Sequence, residues 1–121
     1  IKYGFQIYPE TKIGAGFYLG HWGTLVINPK TKIGKNCNIS QGVTIAQANR
    51  GRNEGVPEIG DEVWIGPNAV IVGKIKIGNN VLIAPNAYVS FDVPSNSVVI
   101  GNPGQITPKE NATEGYINNK I

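Results

Sequence analysis

The chain has no methionine, one cysteine (Cys37) and one histidine (His21) in 121 residues. A lone cysteine excludes an internal disulfide framework and suits a reducing compartment, so a cytoplasmic setting is expected. A single histidine excludes a zinc hydratase-type centre with three His ligands, and no metal is expected. No apolar run approaches a membrane span, and the first residues lack the apolar stretch of a signal peptide, so no membrane insertion is expected. Charge is also sparse. The net charge is +3, the lysines are scattered, and only Arg50 and Arg52 sit close together, which gives no basic stripe for nucleic acid. Leucine occurs three times while Ile and Val abound, and Ala-rich helical stretches are missing; the lean is toward β. Because Ile stands at position 1, the sequence leaves room for a segment ahead of it.

What is present is a period. Positions 59, 65, 71, 77, 83 and 89 are Ile, Ile, Ile, Ile, Ile and Val, and four residues after each come Val63, Ala69, Ile75, Val81, Ala87 and Val93. Gly, Asn, Asp and Pro crowd the intervals. Ile27, Ile33, Ile39 and Ile45 keep the same step, as do Ile13, Leu19 and Leu25 before them. A step of six matches neither an amphipathic helix nor a meander of long strands; it describes a short strand, a turn and another short strand. Three such hexads close a triangular coil, and successive coils stack backbone on backbone. Branched side chains then fill the interior, and Gly or Asn takes the corners that need positive φ.

The phase slips twice. One slip is read between Leu25 and Ile27, just after the residues His21-Trp22-Gly23-Thr24. The other is the gap between Ile45 and Ile59, read as a loop over 46–58 ejected from one corner. Irregularities in a regular solenoid are where function concentrates; the bland alternative is a tolerated insertion.

Four blocks, "FQIYPETKIGAGFYLGHWGTLVI", "NISQGVTI", "PEIGDEVWIGPNAVIVGKIKIGNNVLIAPNAYV" and "VPSNSVVIGNPGQI", span residues 5–106. In order and spacing they resemble the catalytic domain of bacterial hexapeptide-repeat acyltransferases, in particular the serine O-acetyltransferases. That family's pattern runs D-I-H-P, K-I-G, D-H-A-T-G, Q-S-V-T-L, a Gly-rich loop ending R-H-P-K-I, and G-V-P-A. The resemblance implies an all-β, left-handed parallel β-helix over 1–106, with one extruded loop and a short non-repeat C-terminal tail over 107–121. It further implies a homotrimer with sites between subunits, and direct transfer of acetyl from acetyl-CoA to a hydroxyl.

By this similarity His21 stands at the family's catalytic histidine, the general base that takes a hydroxyl proton near neutral pH. The departures are as informative. The orienting Asp becomes Gln6, which can accept a hydrogen bond from imidazole but adds no negative charge. Tyr8 replaces the neighbouring His, Gly20 the Asp before the catalytic His, and Gly55-Val56 the Arg-His pair. In the family the Asp before the catalytic His and the Arg-His pair help to hold an amino acid, and a zwitterion buried without them is costly. Tyr3, Phe5, Tyr8, Phe17, Tyr18 and Trp22 gather instead toward the start of the sequence, and such rings suit a sugar; packing at a cap or interface is the alternative.

The expected acceptor side is therefore Tyr8, Gly20, Trp22 and Val56. The coenzyme side, carried over from the family, is Gln47, Ala48, Gly66, Pro67, Ala84, Pro85 and Pro103, with Arg50, Arg52, Lys74, Lys76 or Lys109 as candidates for its phosphates. Cys37 is read as core packing. The expectation is an O-acetyltransferase acting on a sugar or polysaccharide-precursor hydroxyl. True serine O-acetylation, N-acetylation of a nucleotide-linked amino sugar, and a non-catalytic scaffold stand as alternatives.

Overall fold

The computed structural model describes residues 5–6, 11–19, 24–49, 51 and 54–117. Of Phe5 and Gln6 only the strand assignment is described. Strands come three to a coil. The first coil is β1 (Phe5–Gln6), β2 (Lys12–Ile13) and β3 (Tyr18–Leu19), and the second is β4 (Leu25–Ile27), β5 (Lys32–Ile33) and β6 (Asn38–Ile39). The third is β7 (Thr44–Ala46), β8 (Glu58–Ile59) and β9 (Val63–Ile65), and the fourth β10 (Val70–Val72), β11 (Lys76–Ile77) and β12 (Val81–Ile83). The last has β13 (Tyr88–Val89), a single bridge from Val93 to Ile77, and β14 (Ser97–Ile100), followed by β15 (Gln105–Pro108). First strands stack as sheet A (β1-β4-β7-β10-β13), second strands as sheet B (β2-β5-β8-β11), and third strands as sheet C (β3-β6-β9-β12-β14-β15). All described strand pairings are parallel except β14 with β15.

The interior is the column that the period foretells. Ile27, Ile45, Ile65, Ile71, Ile77, Ile83 and Val89 are fully buried, as are Val63, Ala69, Val81 and Ala87 from the second set. Asn36, Asn68, Asn80, Asn86 and Asn96 take left-handed φ at the corners, as expected, and Glu62 joins them. The recurrent Ile-Gly pair has a steric reason at the corner between sheets B and C. A Cβ on Gly14 would stand 2.6 Å from the Gly34 carbonyl carbon, and one on Gly60 would stand 2.6 Å from the Gly78 oxygen. Only glycine lets successive coils approach so closely.

Register corrects the first phase slip. Val63 lies opposite Val81, a turn of three hexads, but Phe5 lies opposite Leu25 and Tyr18 opposite Asn38, each two positions beyond three hexads. Val26 already faces Thr44 at the regular spacing. The two surplus residues therefore fall between Leu19 and Leu25, not between Leu25 and Ile27. Leu25 belongs to the column of Val43, Ala69 and Ala87, where a large residue still packs because it sits near the end of the stack; it is 1% exposed. The second surplus is where it was expected. Lys32 faces Glu58, where three hexads would have brought position 50. The extra residues form a hairpin between β7 and β8, closed by reciprocal backbone bonds of 2.9 Å between Ala48 and Gly55.

The end of the chain is tied down. β15 reverses along β14, and Asn80 Oδ1 accepts hydrogen bonds from the Thr113 backbone N–H (3.1 Å) and hydroxyl (2.7 Å). Asn38 Nδ2 donates to the Tyr116 carbonyl at 3.0 Å, and the Tyr116 ring meets Trp64 edge to face at 5.0 Å. The outer face of sheet C is thus partly covered by the residues after β15.

Candidate active site

His21, Gly20, Trp22 and Tyr8 lie outside the described residues, as does the side chain of Gln6, whose backbone in β1 pairs with Val26 of β4. The described neighbours still locate the segment that holds His21: it connects β3 to β4, across the corner from sheet C to sheet A. Four of the residues expected on the coenzyme side occupy the same corner in later coils. Gly66 and Pro67 connect β9 to β10, and Ala84 and Pro85 connect β12 to β13. The rungs are bonded in sequence: Gly42 N–H to Thr24 O, Asn68 N–H to Gln41 O at 3.0 Å, and Asn86 N–H to Pro67 O at 2.9 Å. Pro103, after a cis peptide, follows β14 at the end of this stack, where Gly104 N–H reaches Tyr88 O at 3.0 Å. This corner is made of small residues, prolines and backbone groups, surfaces that a long flexible chain can lie along.

Gln47, Ala48 and Val56 are elsewhere. They belong to the hairpin, which leaves the corner between sheets A and B. There Gly55, Val56 and Pro57 border a groove of about 600 Å³ together with Lys30, Lys32, Lys74, Lys76, Glu54, Glu58 and Asp92. Register explains the company. Lys32 faces Glu58 and Glu58 faces Lys76, and Val56 shares the groove beside them with Lys30 and Lys74. Gly55 rests on the stem of Lys74, where an added Cβ would come within 2.8 Å of the Lys74 Cβ. Apart from the Asp92 carboxylate, which accepts the Lys76 backbone N–H at 2.9 Å, the groove's charged side chains make no ion pair or side-chain hydrogen bond among the described residues. The three-hexad turn that joins Val56 to Lys74 could have signalled this lysine; reading the departures position by position misses it.

Two further expectations meet the structure here. Cys37 is fully buried, its Sγ donates to the Gly60 carbonyl at 3.1 Å, and burial, above all, raises its thiol pKa to about 11. It is a packing residue, not a nucleophile. Phe17, counted among the rings for a sugar, packs against the core instead.

The profile of the bacterial transferase hexapeptide family (six repeats) matches residues 57–90. A serine acetyltransferase of Staphylococcus aureus is 39% identical over 112 residues, covering 93% of this chain and 53% of its own. The crystal structure of Neisseria gonorrhoeae serine acetyltransferase superposes with a TM-score of 0.80 at 35% identity, covering 88% of this chain and 41% of that one. Serine acetyltransferase from Brucella abortus in complex with coenzyme A gives 0.78 at 32%, covering 86% and 42%. The chain thus carries the hexapeptide repeat of the bacterial transferases and over most of its length is serine-acetyltransferase-like.

As in its structural neighbours among serine acetyltransferases, the spiral is the left-handed parallel β-helix. The chain spans about half the length of the curated relatives it matches (53% for the first). Among the described residues no group of three His, Cys, Asp or Glu side chains is placed to hold a metal, and no helix is long and apolar enough to cross a membrane.

Proposed function

We propose that this hexapeptide-repeat acetyltransferase chain carries the transfer site of an acetyl-CoA-dependent serine O-acetyltransferase. The observation that carries this reading is the likeness over most of the chain to proteins named for that reaction, one of them solved with coenzyme A. That likeness favours serine over the sugar suggested by the aromatic cluster.

In the proposed mechanism His21 takes the proton of the serine hydroxyl as the oxygen attacks the thioester carbon. The C–S bond then breaks, and the imidazolium returns the proton to the leaving thiolate, giving O-acetylserine and free coenzyme. Gln6 holds the imidazole by accepting its second N–H. Pantetheine lies along the Gly66-Pro67 and Ala84-Pro85 rungs toward Pro103, with Gln47 and Ala48 contributing from the hairpin.

Topology supports a homotrimer as the working form. Within one chain the His21 corner and the Val56 corner bound opposite margins of sheet A. Ile65 and Ile71 mark one face as a single hexad wide, or about 20 Å at roughly 3.3 Å per residue, too far for a small acceptor to bridge. Sheet A faces packed about an axis bring the first corner of one copy to the second corner of the next. The half-exposed apolar outer face of sheet A (Val26, Val70, Val72) gives such packing its driving force.

The test is release of free coenzyme, read by a thiol reagent, with serine and simple sugars as acceptors. Serine-dependent release that falls by about two to four orders of magnitude in His21→Ala is expected. Release with sugars alone would move the acceptor assignment; undiminished release in His21→Ala would remove the base.

A further inference from the structure

The family's Arg-His pair is absent at Gly55-Val56, yet the groove these residues border is lined with charges of both signs that find no side-chain partner among the described residues. We propose that Lys74 and Glu54 bind the carboxylate and the ammonium of the amino-acid acceptor, and so take over the charge recognition that Gly55-Val56 does not supply. The inference rests on the serine reading above.

The choice of residues follows from the surroundings. Lys32, Glu58 and Lys76 are consecutive rungs on the outer face of sheet B. At the strand spacing of about 4.8 Å opposite charges alternate along that ladder, with no ion pair closed between them among the described residues. Lys74 stands outside that ladder, at the corner. The first carbons of its stem pass Gly55, and Lys74 and Val56 border the same groove. Glu54 precedes Gly55 on the hairpin, and its backbone N–H bonds to Gly51 O at 3.3 Å. A cation and an anion bordering one groove, neither neutralised by the other, suit a ligand that carries both charges. Apolar Val56 beside them matches the small uncharged part of the acceptor. Glycine at 55 is required by the arrangement: its φ of 135° and the 2.8 Å approach to Lys74 leave no room for a side chain.

The experiment is steady-state acetyl transfer by the full chain to serine and to serinamide, which keeps the hydroxyl and ammonium but lacks the carboxylate. Wild-type protein should prefer serine strongly. Lys74→Ala should raise the KM for serine by about tenfold or more while leaving the KM for acetyl-CoA unchanged, and should erase the preference over serinamide. Lys74→Arg should restore most of it, and Glu54→Gln should weaken serine and serinamide alike. If Lys74→Ala keeps the wild-type serine-to-serinamide ratio, or raises the KM for acetyl-CoA instead, the assignment is overturned and the lysine belongs to the coenzyme. Wild-type protein that acetylates no serine at all would overturn the function reading, and this inference with it.

Discussion

Sheets A and B are built from the same kind of hexad, and each buries its own column, Ile27, Ile45 and Ile71 on one and Ile33, Ile59 and Ile77 on the other, yet their outer faces differ. On sheet A the outward ladder is Val26, Thr44, Val70 and Tyr88, with Ala46 and Val72 beside it. On sheet B it is Lys12, Lys32, Glu58 and Lys76, all exposed. The interior dictates the coil and is indifferent to which face is which. The outward positions carry the distinction between an apolar face and a charged one.

The largest effect should come from charging the apolar face. Val70→Asp is expected to turn the proposed trimer into monomer in sedimentation and to abolish transfer, while Lys12→Asp, on the other face, changes neither; equal masses for both variants would erase the contrast. Next comes inside against outside on one strand. Ile71→Ala should destabilise the chain by about 2–5 kcal/mol in chemical denaturation, and Val72→Ala, its half-exposed neighbour, by less than about 1 kcal/mol. The smallest tests the interior itself. Cys37 keeps its proton in the fold up to about pH 11, whereas the unfolded thiol ionises near 9.0. The unfolded state therefore binds fewer protons above pH 9, and stability falls as pH rises from 9 toward 11, by up to about 2–3 kcal/mol. Cys37→Val, which places the residue of Val63 and Val81 in the same column, should remove that part of the slope.

The architecture was legible because a six-residue step with inward Ile has almost no other solution. Asn at the corners read correctly because backbone sterics recur at every turn, whereas Gly14, Gly34, Gly60 and Gly78 serve close approach of the next coil and not the positive φ expected of glycine. Leu25 misled because it falls one hexad after Leu19 by coincidence, and only strand register reveals that the coil had gained two residues before it. Phe17 misled because ring count says nothing about direction. The candidate site is legible only as a family motif. The motif names His21, which lies outside the described residues, and the lysines that share the groove with Val56 lie in neighbouring coils, so a residue-by-residue comparison registers what is lost and not what stands beside it.

The closing hairpin of β14 and β15 has a consequence for the whole assembly. A spiral of parallel coils carries no intrinsic length; its last rung offers a row of free amides on which another molecule's first coil could grow. Here the final rung of sheet C is occupied by a strand running the wrong way that ends at Pro108, a residue with no amide hydrogen to give. On that face the parallel ladder cannot be continued in register by another molecule's first coil.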